Sequence, residues 1–307
     1  MGGRNYCKSC ASLAGGPPPA PSGALQQYGA PPVPPIAPQQ YGGPPFYQQQ
    51  YQPYGYYPPP RRYQEIFPGA NWGPGEAVII FFIALAVSTG VSLALLQIFF
   101  SSSSSNTSSI LFLFMSSLVL YVVMLGGVYY SVVSRHDSDL KAIGLTTKGA
   151  GRAVEWGFGL GLPLFVGALG LAFVSLFFYN ILYRDVLHRA VPQSMMPSLS
   201  SQGTSGGAIF LYVFTLVVLA PVCEEIFFRG YLYPSFRNRM GMQAAMLLNG
   251  AFFSAVHFQL AGFLPRFLIG YGLCYMYERN RTLIAPMIGH ALYNGLLVLL
   301  SGVFGLF

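Results

Sequence analysis

Charged residues are scarce in this sequence: Asp, Glu, Lys and Arg make up 8% of its 307 residues, whereas 53% are hydrophobic. A soluble domain of this length needs a charged surface, so the composition excludes a soluble globular fold. Between Glu76 and Arg135 there is no charged residue at all. Uncharged runs of about 20 apolar residues match the roughly 30 Å hydrocarbon core of a bilayer. The sequence therefore predicts an all-α, polytopic membrane protein.

Cysteines are also few, four in all, and no apolar run precedes Ala77. Because Cys223 and Cys274 lie within apolar segments, we expect no disulfide framework. Cys7 and Cys10 form one C-x-x-C pair without the second pair that a zinc ribbon needs. The alternatives for the Cys7–Cys10 pair are a zinc knuckle, a lipidated pair and an inert tail. Because the first apolar run begins only near Ala77, we expect no secretory signal peptide.

Residues 1–70 differ in composition from the rest and are predicted to form a tail. Fifteen of the 24 prolines lie between Pro17 and Pro60, interleaved with Tyr, Gln and Gly. Such a segment buries too little apolar surface to offset its ordering entropy, so we expect disorder with some polyproline II character. It serves either as a passive tether or as an arm that binds a protein partner. Residues 71–307 are predicted to form the transmembrane domain.

Seven apolar segments predict a bundle of about seven membrane helices. Their limits are 77–100, 110–133, 156–183, 207–228, 241–260, 262–277 and 284–305. Arg266 interrupts the sixth, which therefore either spans with that side chain at the interface or is re-entrant. The first two segments are predicted to be plain membrane anchors.

Basic residues are distributed unevenly about these segments. With a cytoplasmic tail, 13 of the 16 Lys and Arg residues fall on the inner side and only Arg184, Arg189 and Arg266 fall outside. Positive charge collects on the cytoplasmic side, so the pattern predicts a cytoplasmic N-terminus and an external C-terminus, in the plasma (cell) membrane. Membrane topology also explains the net charge of +7 without a nucleic acid partner.

The fourth apolar segment ends in two adjacent carboxylates, Glu224 and Glu225. A charge near the centre of a membrane helix costs roughly 2.5–3.5 kcal/mol, so such a residue usually faces a partner or a polar cavity. Arg229 follows Glu225 by four positions, on the same helix face, and is predicted to pair with it. Glu224 points about 100° away and is left free to act as a base.

Two histidines in later segments each share a helix face with a second residue: Phe253 with His257, and His290 with Asn294. Either histidine alone is more often a packed core residue than a catalyst. If the fourth and fifth segments form a hairpin, Glu224 and His257 lie about 16 residues on either side of its turn, at one depth. We therefore expect the carboxylate, both histidines and the asparagine to meet in a cavity open to the cytoplasm.

Such a set of side chains is suited to hydrolysis by an activated water molecule. A carboxylate and a histidine can remove a proton from water as it attacks a carbonyl. A second histidine and an asparagine amide can donate hydrogen bonds to the oxyanion, worth roughly 3–4 kcal/mol per donor. No Ser or Cys has the context of a nucleophile, so the pattern predicts no covalent intermediate.

Three motifs on successive helices carry a family resemblance: Glu224-Glu225-x-x-x-Arg229, Phe253-x-x-x-His257 and His290-x-x-x-Asn294. Over about residues 140–305 they resemble the CPBP family, the type II CAAX-prenyl endopeptidases and bacteriocin-processing proteases. The resemblance implies an intramembrane endopeptidase, a hydrolase. It also implies roles for the motif residues: water activation by Glu224 with His257, Arg229 holding Glu225, and an oxyanion hole of His290 and Asn294.

The resemblance leaves metal dependence open, since the family has been described both as metalloproteases and as metal-independent glutamate proteases. A zinc-like divalent ion, if present, would be held by Glu224, His257 and His290. We favour the mechanism without a metal or other cofactor, because Asn294 is a poor zinc ligand and Glu225 is predicted to be paired already.

The implied substrate is a prenylated C-terminus, a peptide precursor or another membrane-tethered protein, cleaved near the cytoplasmic face among the membrane lipids. One alternative is a catalytically idle scaffold or immunity-type protein of the same fold, with the tail recruiting its partner. Another is a transporter whose buried Glu and His relay protons. Internal duplication would favour transport, and the sequence shows none.

Overall fold

A computed structural model of the chain describes residues 66–100, 105–190 and 204–304. The predictions for Cys7, Cys10 and the proline-rich tail concern residues outside these ranges. Cys223 and Cys274 lie within them, and both are buried free thiols.

Seven helices run through the described residues, which contain no strand, and this confirms the predicted all-α fold. They are α1 (Pro74–Phe100), α2 (Asn106–Arg135), α3 (Ala150–Val186), α4 (Gly206–Arg237), α5 (Met242–Ala255), α6 (Phe263–Asn280) and α7 (Ile284–Phe304). Each overlaps one of the seven apolar segments, because continuous apolar runs of this length can satisfy their backbone in a membrane only as helices.

Five of these helices, α1 to α4 and α7, are long and apolar enough to cross a membrane, as expected of a multi-pass membrane protein. The other two are not. α5 has 14 residues, about 21 Å at 1.5 Å per residue, and falls short of a hydrocarbon core of about 30 Å. α6 has 18 residues but includes Arg266, Glu278 and Arg279. The seven predicted membrane helices are therefore five helices long enough to span the membrane and one pair of shorter helices.

α4 is the central helix of the bundle, because it contacts α1, α2, α5, α6 and α7. The remaining helices pair around it: α1 packs along α2, α3 packs along both α6 and α7, and α5 packs along α6. Side chains on α4 are thus positioned to meet groups from several helices at once.

The short helices α5 and α6 approach each other at two glycines. A Cβ atom on Gly270 would lie 2.9 Å from the Cα atom of Gly250, closer than real side chains come. Small residues at such a crossing let two helix backbones come together inside a membrane protein. The crossing also brings the Gly270 carbonyl within reach of α4.

The residues just before α1 pack against the end of α4. Trp72 is buried and donates a hydrogen bond from Nε1 to the carbonyl oxygen of Tyr231, at 2.8 Å. The backbone N–H of Phe67 donates to Oδ1 of Asn238, and Nδ2 of Asn238 donates to the Phe67 carbonyl, both at 3.0 Å. Phe67 and Ala70 are also buried. Residues 66–70 are therefore part of the packed structure, although the predicted boundary assigned them to the tail.

Candidate active site

A fully buried ion pair lies at the centre of the site. Oε1 of Glu225 and Nη1 of Arg229 are 2.6 Å apart, one helical turn from each other on α4. Arg229 also donates from Nη2 to the carbonyl oxygen of Gly270 on α6, at 3.1 Å. Its guanidinium lies 4.5 Å from the centre of the Phe253 ring on α5. One arginine of α4 thus holds both short helices, and its partners offset the cost of burying its charge.

Glu225 also positions a histidine of α7. Nδ1 of His290 lies 2.7 Å from Oε1 of Glu225. A carboxylate only accepts hydrogen bonds, so Nδ1 carries the proton in this contact. Nε2 is then directed towards Glu224, with 4.0 Å between Nε2 and Oε2. Phe253 packs against the ring of His290 at 5.6 Å between ring centres. The paired carboxylate therefore fixes which nitrogen of His290 faces the site.

Glu224, unlike Glu225, forms no ion pair with an arginine or lysine among the described residues. Its Oε1 accepts a hydrogen bond from the Tyr121 hydroxyl of α2, at 2.9 Å. Its Oε2 is buried and accepts no hydrogen bond from any residue that the structure describes. The side chain as a whole is 15% exposed. Glu224 therefore has one buried oxygen that is free to accept a proton, as a general base requires.

Tyr121 is a site residue that was not predicted from the sequence. The first two apolar segments were predicted to be plain anchors, and for α2 this is wrong because Tyr121 reaches Glu224. The chain has 21 tyrosines, and no motif distinguishes this one. The available signal was weaker: a hydroxyl in the middle of a membrane segment needs a partner on another helix.

His257 lies in the turn that follows α5, within electrostatic range of the same carboxylate. Its Nδ1 is 2.8 Å from the carbonyl oxygen of Phe253. Because a carbonyl only accepts, Nδ1 is the donor and Nε2 keeps its lone pair. Glu224, Arg266 and His290 all interact electrostatically with His257. The structure thus brings the two histidines and Glu224 into one neighbourhood, with a basic nitrogen available on His257.

Asn294 contacts the backbone of α4. Its Nδ2 donates a hydrogen bond to the carbonyl oxygen of Leu216, at 2.7 Å. α4 has π-helical register here, and the N–H of Ala220 bonds to the carbonyl of Thr215, five residues back. In the same register the carbonyl of Leu216 would pair with Pro221, which has no N–H. Asn294 therefore fills a gap in the α4 backbone, and one amide hydrogen is left for the predicted oxyanion role.

The three alternative zinc ligands each have one atom already engaged. These atoms are Oε1 of Glu224, Nδ1 of His257 and Nδ1 of His290. In the ranges that the structure describes, no group of three or more His, Cys, Asp and Glu side chains is arranged to hold a metal ion. The zinc alternative would need the second atom of each residue, so chelation is part of the experiment proposed below.

Comparison with known proteins gives a match over the helices that carry this site. Residues 206–296 match the family model described as "Type II CAAX prenyl endopeptidase Rce1-like". "Putative membrane peptidase YdiL" of Bacillus subtilis (strain 168) is 24% identical over 94 residues. That match covers 31% of this chain and 38% of the relative. No solved structure matches. The resemblance to type II CAAX endopeptidases is therefore confirmed over residues 206–296, which contain all three motifs.

Proposed function

We propose that the protein is an intramembrane endopeptidase of the CAAX or peptide-processing type, which hydrolyses a peptide bond near the cytoplasmic membrane face. The observation that carries the proposal is the arrangement around Glu224. Its Oε2 has no donor among the described residues, His290 lies 4.0 Å from it, and His257 interacts with Glu224 electrostatically. The family match covers the same helices.

In the proposed mechanism, a water molecule binds between Glu224 and His257 and attacks the scissile carbonyl. Glu224 takes the proton from water as the new carbon–oxygen bond forms, and Nε2 of His257 accepts a hydrogen bond from the same water. The tetrahedral intermediate then collapses, the carbon–nitrogen bond breaks, and the proton passes from Glu224 to the leaving amine. No covalent bond to the protein forms at any step.

The oxyanion of this intermediate is proposed to receive hydrogen bonds from His290 and Asn294. In this proposed role the ring carries both protons: Nδ1–H donates to Glu225, and Nε2–H faces the oxyanion. Asn294 contributes the amide hydrogen that Leu216 does not use. Donors fixed in this way are typically worth roughly 3–4 kcal/mol each in a site of this kind.

The function is tested by peptide cleavage in lipid nanodiscs. Purified protein is given a farnesylated C-a-a-X peptide and a mixed peptide library, each with and without a chelator. We expect cleavage that the chelator does not change. Absence of any cleavage would favour the idle scaffold instead. Loss on chelation with recovery on adding zinc would replace the proposed mechanism by one in which Glu224, His257 and His290 hold the metal.

The orientation is proposed to be N-terminus inside and C-terminus outside, with α5 and α6 as a re-entrant pair. Five full spans plus such a pair give the same sidedness as seven spans. Lys148 before α3 and Arg189 after it are both exposed, so each can be replaced by Cys in a Cys7→Ser/Cys10→Ser background. On intact cells, an impermeant maleimide should label only Arg189→Cys. Labelling of only Lys148→Cys would invert the topology.

A further inference from the structure

Arg266 is the second arginine at the site, and its charge is not neutralised there. Its Nη2 donates to Oε1 of Gln259, which is a neutral amide. Its Nη1 is buried and has no hydrogen-bond partner among the described residues, which also offer this arginine no ion pair within 4.0 Å. A buried, unsatisfied cationic donor is costly, so such a group needs either a ligand or a functional explanation.

The position of the Arg266 guanidinium is set by the turn between α5 and α6. Arg266 is in the first helical turn of α6, and its side chain points back over the connection between α5 and α6. A Cβ atom on Gly262 would overlap its guanidinium. The same turn carries His257, and both His257 and Glu224 interact electrostatically with Arg266. Arg266 is thus within electrostatic range of the groups that are proposed to activate water.

A simple interfacial role does not explain this arrangement. An arginine that extends towards water at the membrane surface carries its guanidinium into solvent. Here the Nη1 atom is buried inside the protein. The sequence left two alternatives, Arg266 at the interface of a full span or within a re-entrant segment. In the structure its guanidinium lies back over Gly262.

We propose that Arg266 binds the C-terminal carboxylate of the substrate, an inference that rests on the proposed function. A carboxylate matches the planar fork of a guanidinium and would engage the free Nη1 donor. In a C-a-a-X sequence, the terminal carboxylate lies within about 14 Å of every bond of the motif, at 3.3–3.6 Å per residue. Arg266 would also offset the repulsion between that carboxylate and Glu224.

This role makes the enzyme selective for chain ends. A peptide bond in the interior of a protein brings no carboxylate to Arg266 and leaves the cation unpaired. A hydrogen-bonded charge of this kind gives roughly 10- to 100-fold discrimination in kcat/KM. The selectivity can be measured separately from the chemistry at the scissile bond, because a C-terminal amide removes the charge and leaves the rest of the peptide intact.

The test compares two peptides that differ only in having a free acid or an amide at the C-terminus. We expect the wild type to prefer the acid by about 10- to 100-fold in kcat/KM. Arg266→Gln should remove this preference by slowing cleavage of the acid alone, and Arg266→Lys should keep part of it. Gly262→Ala should also weaken it, since the added methyl displaces the flexible end of Arg266. Gly159→Ala, which meets open space, is the matched control.

Each other outcome overturns the inference in a distinct way. Equal cleavage of both peptides by the wild type removes the carboxylate role and leaves the proposed function intact. Equal loss on both peptides in Arg266→Gln and Gly262→Ala would place Arg266 in the chemistry at the scissile bond or in folding. If the wild type cleaves neither peptide, nor any peptide of the mixed library, the proposed function fails and this inference fails with it.

Discussion

Replacing Glu224 by Gln is expected to lower kcat/KM for peptide cleavage by about 10²- to 10⁴-fold, the usual contribution of a general base. The amide has nearly the same shape and can still accept the Tyr121 hydrogen bond, but it cannot take a proton from water. Initial rates in nanodiscs measure the loss. A melting curve that stays within a few degrees of the wild type shows that the loss is chemical and not structural.

Two matched variants make the Glu224 experiment specific. Glu155→Gln neutralises an exposed carboxylate of α3 and should leave the rate unchanged. Tyr121→Phe keeps the base but removes its neighbouring donor, and we expect a loss of less than about tenfold, in proportion to one hydrogen bond. If Glu224→Gln kept more than a tenth of the wild-type rate, Glu224 would not be the base, and His257 would be the next candidate.

The helices of this protein could be predicted from hydropathy alone, but their lengths could not. The fifth apolar segment was expected to extend to residue 260, whereas α5 ends at Ala255. The chain leaves the helix in tight turns, and Phe258 adopts a left-handed backbone conformation with φ of 52°. Apolar residues continue through this turn, so hydropathy does not detect it. The turn nevertheless carries His257, which interacts electrostatically with Glu224.

Local spacing also predicted which charged groups pair. The four-residue interval between Glu225 and Arg229 indicated a contact on one helix face, and the structure shows it. Contacts between helices could not be predicted in this way. The bond from Asn294 to Leu216 depends on π-helical register in α4, and the position of Arg266 depends on the turn at Gly262. These features arise from three-dimensional packing and have no periodic signature in the sequence.

Loss of the ion pair between Glu225 and Arg229 is expected to have the largest effect on stability. Arg229→Met should lower the free energy of unfolding by about 3–5 kcal/mol, because it leaves the Glu225 carboxylate buried without its cation. It also removes the contact with Gly270 that holds α6. Equilibrium unfolding in mixed micelles measures the change. Asp139→Asn is the control: its pair with Lys141 is exposed, and we expect no measurable loss of stability.

The double variant Glu225→Gln/Arg229→Met separates a buried charge from lost packing. If the uncompensated carboxylate causes most of the loss, neutralising it should recover part of the stability, since a buried pair is often replaceable by neutral groups. Catalysis should not recover, because His290 would lose the carboxylate that holds its Nδ1–H and directs Nε2 towards Glu224. Recovery of both stability and activity would show that Glu225 and Arg229 serve the fold alone. A loss in Arg229→Met no larger than in Asp139→Asn would contradict the stabilising role of the pair.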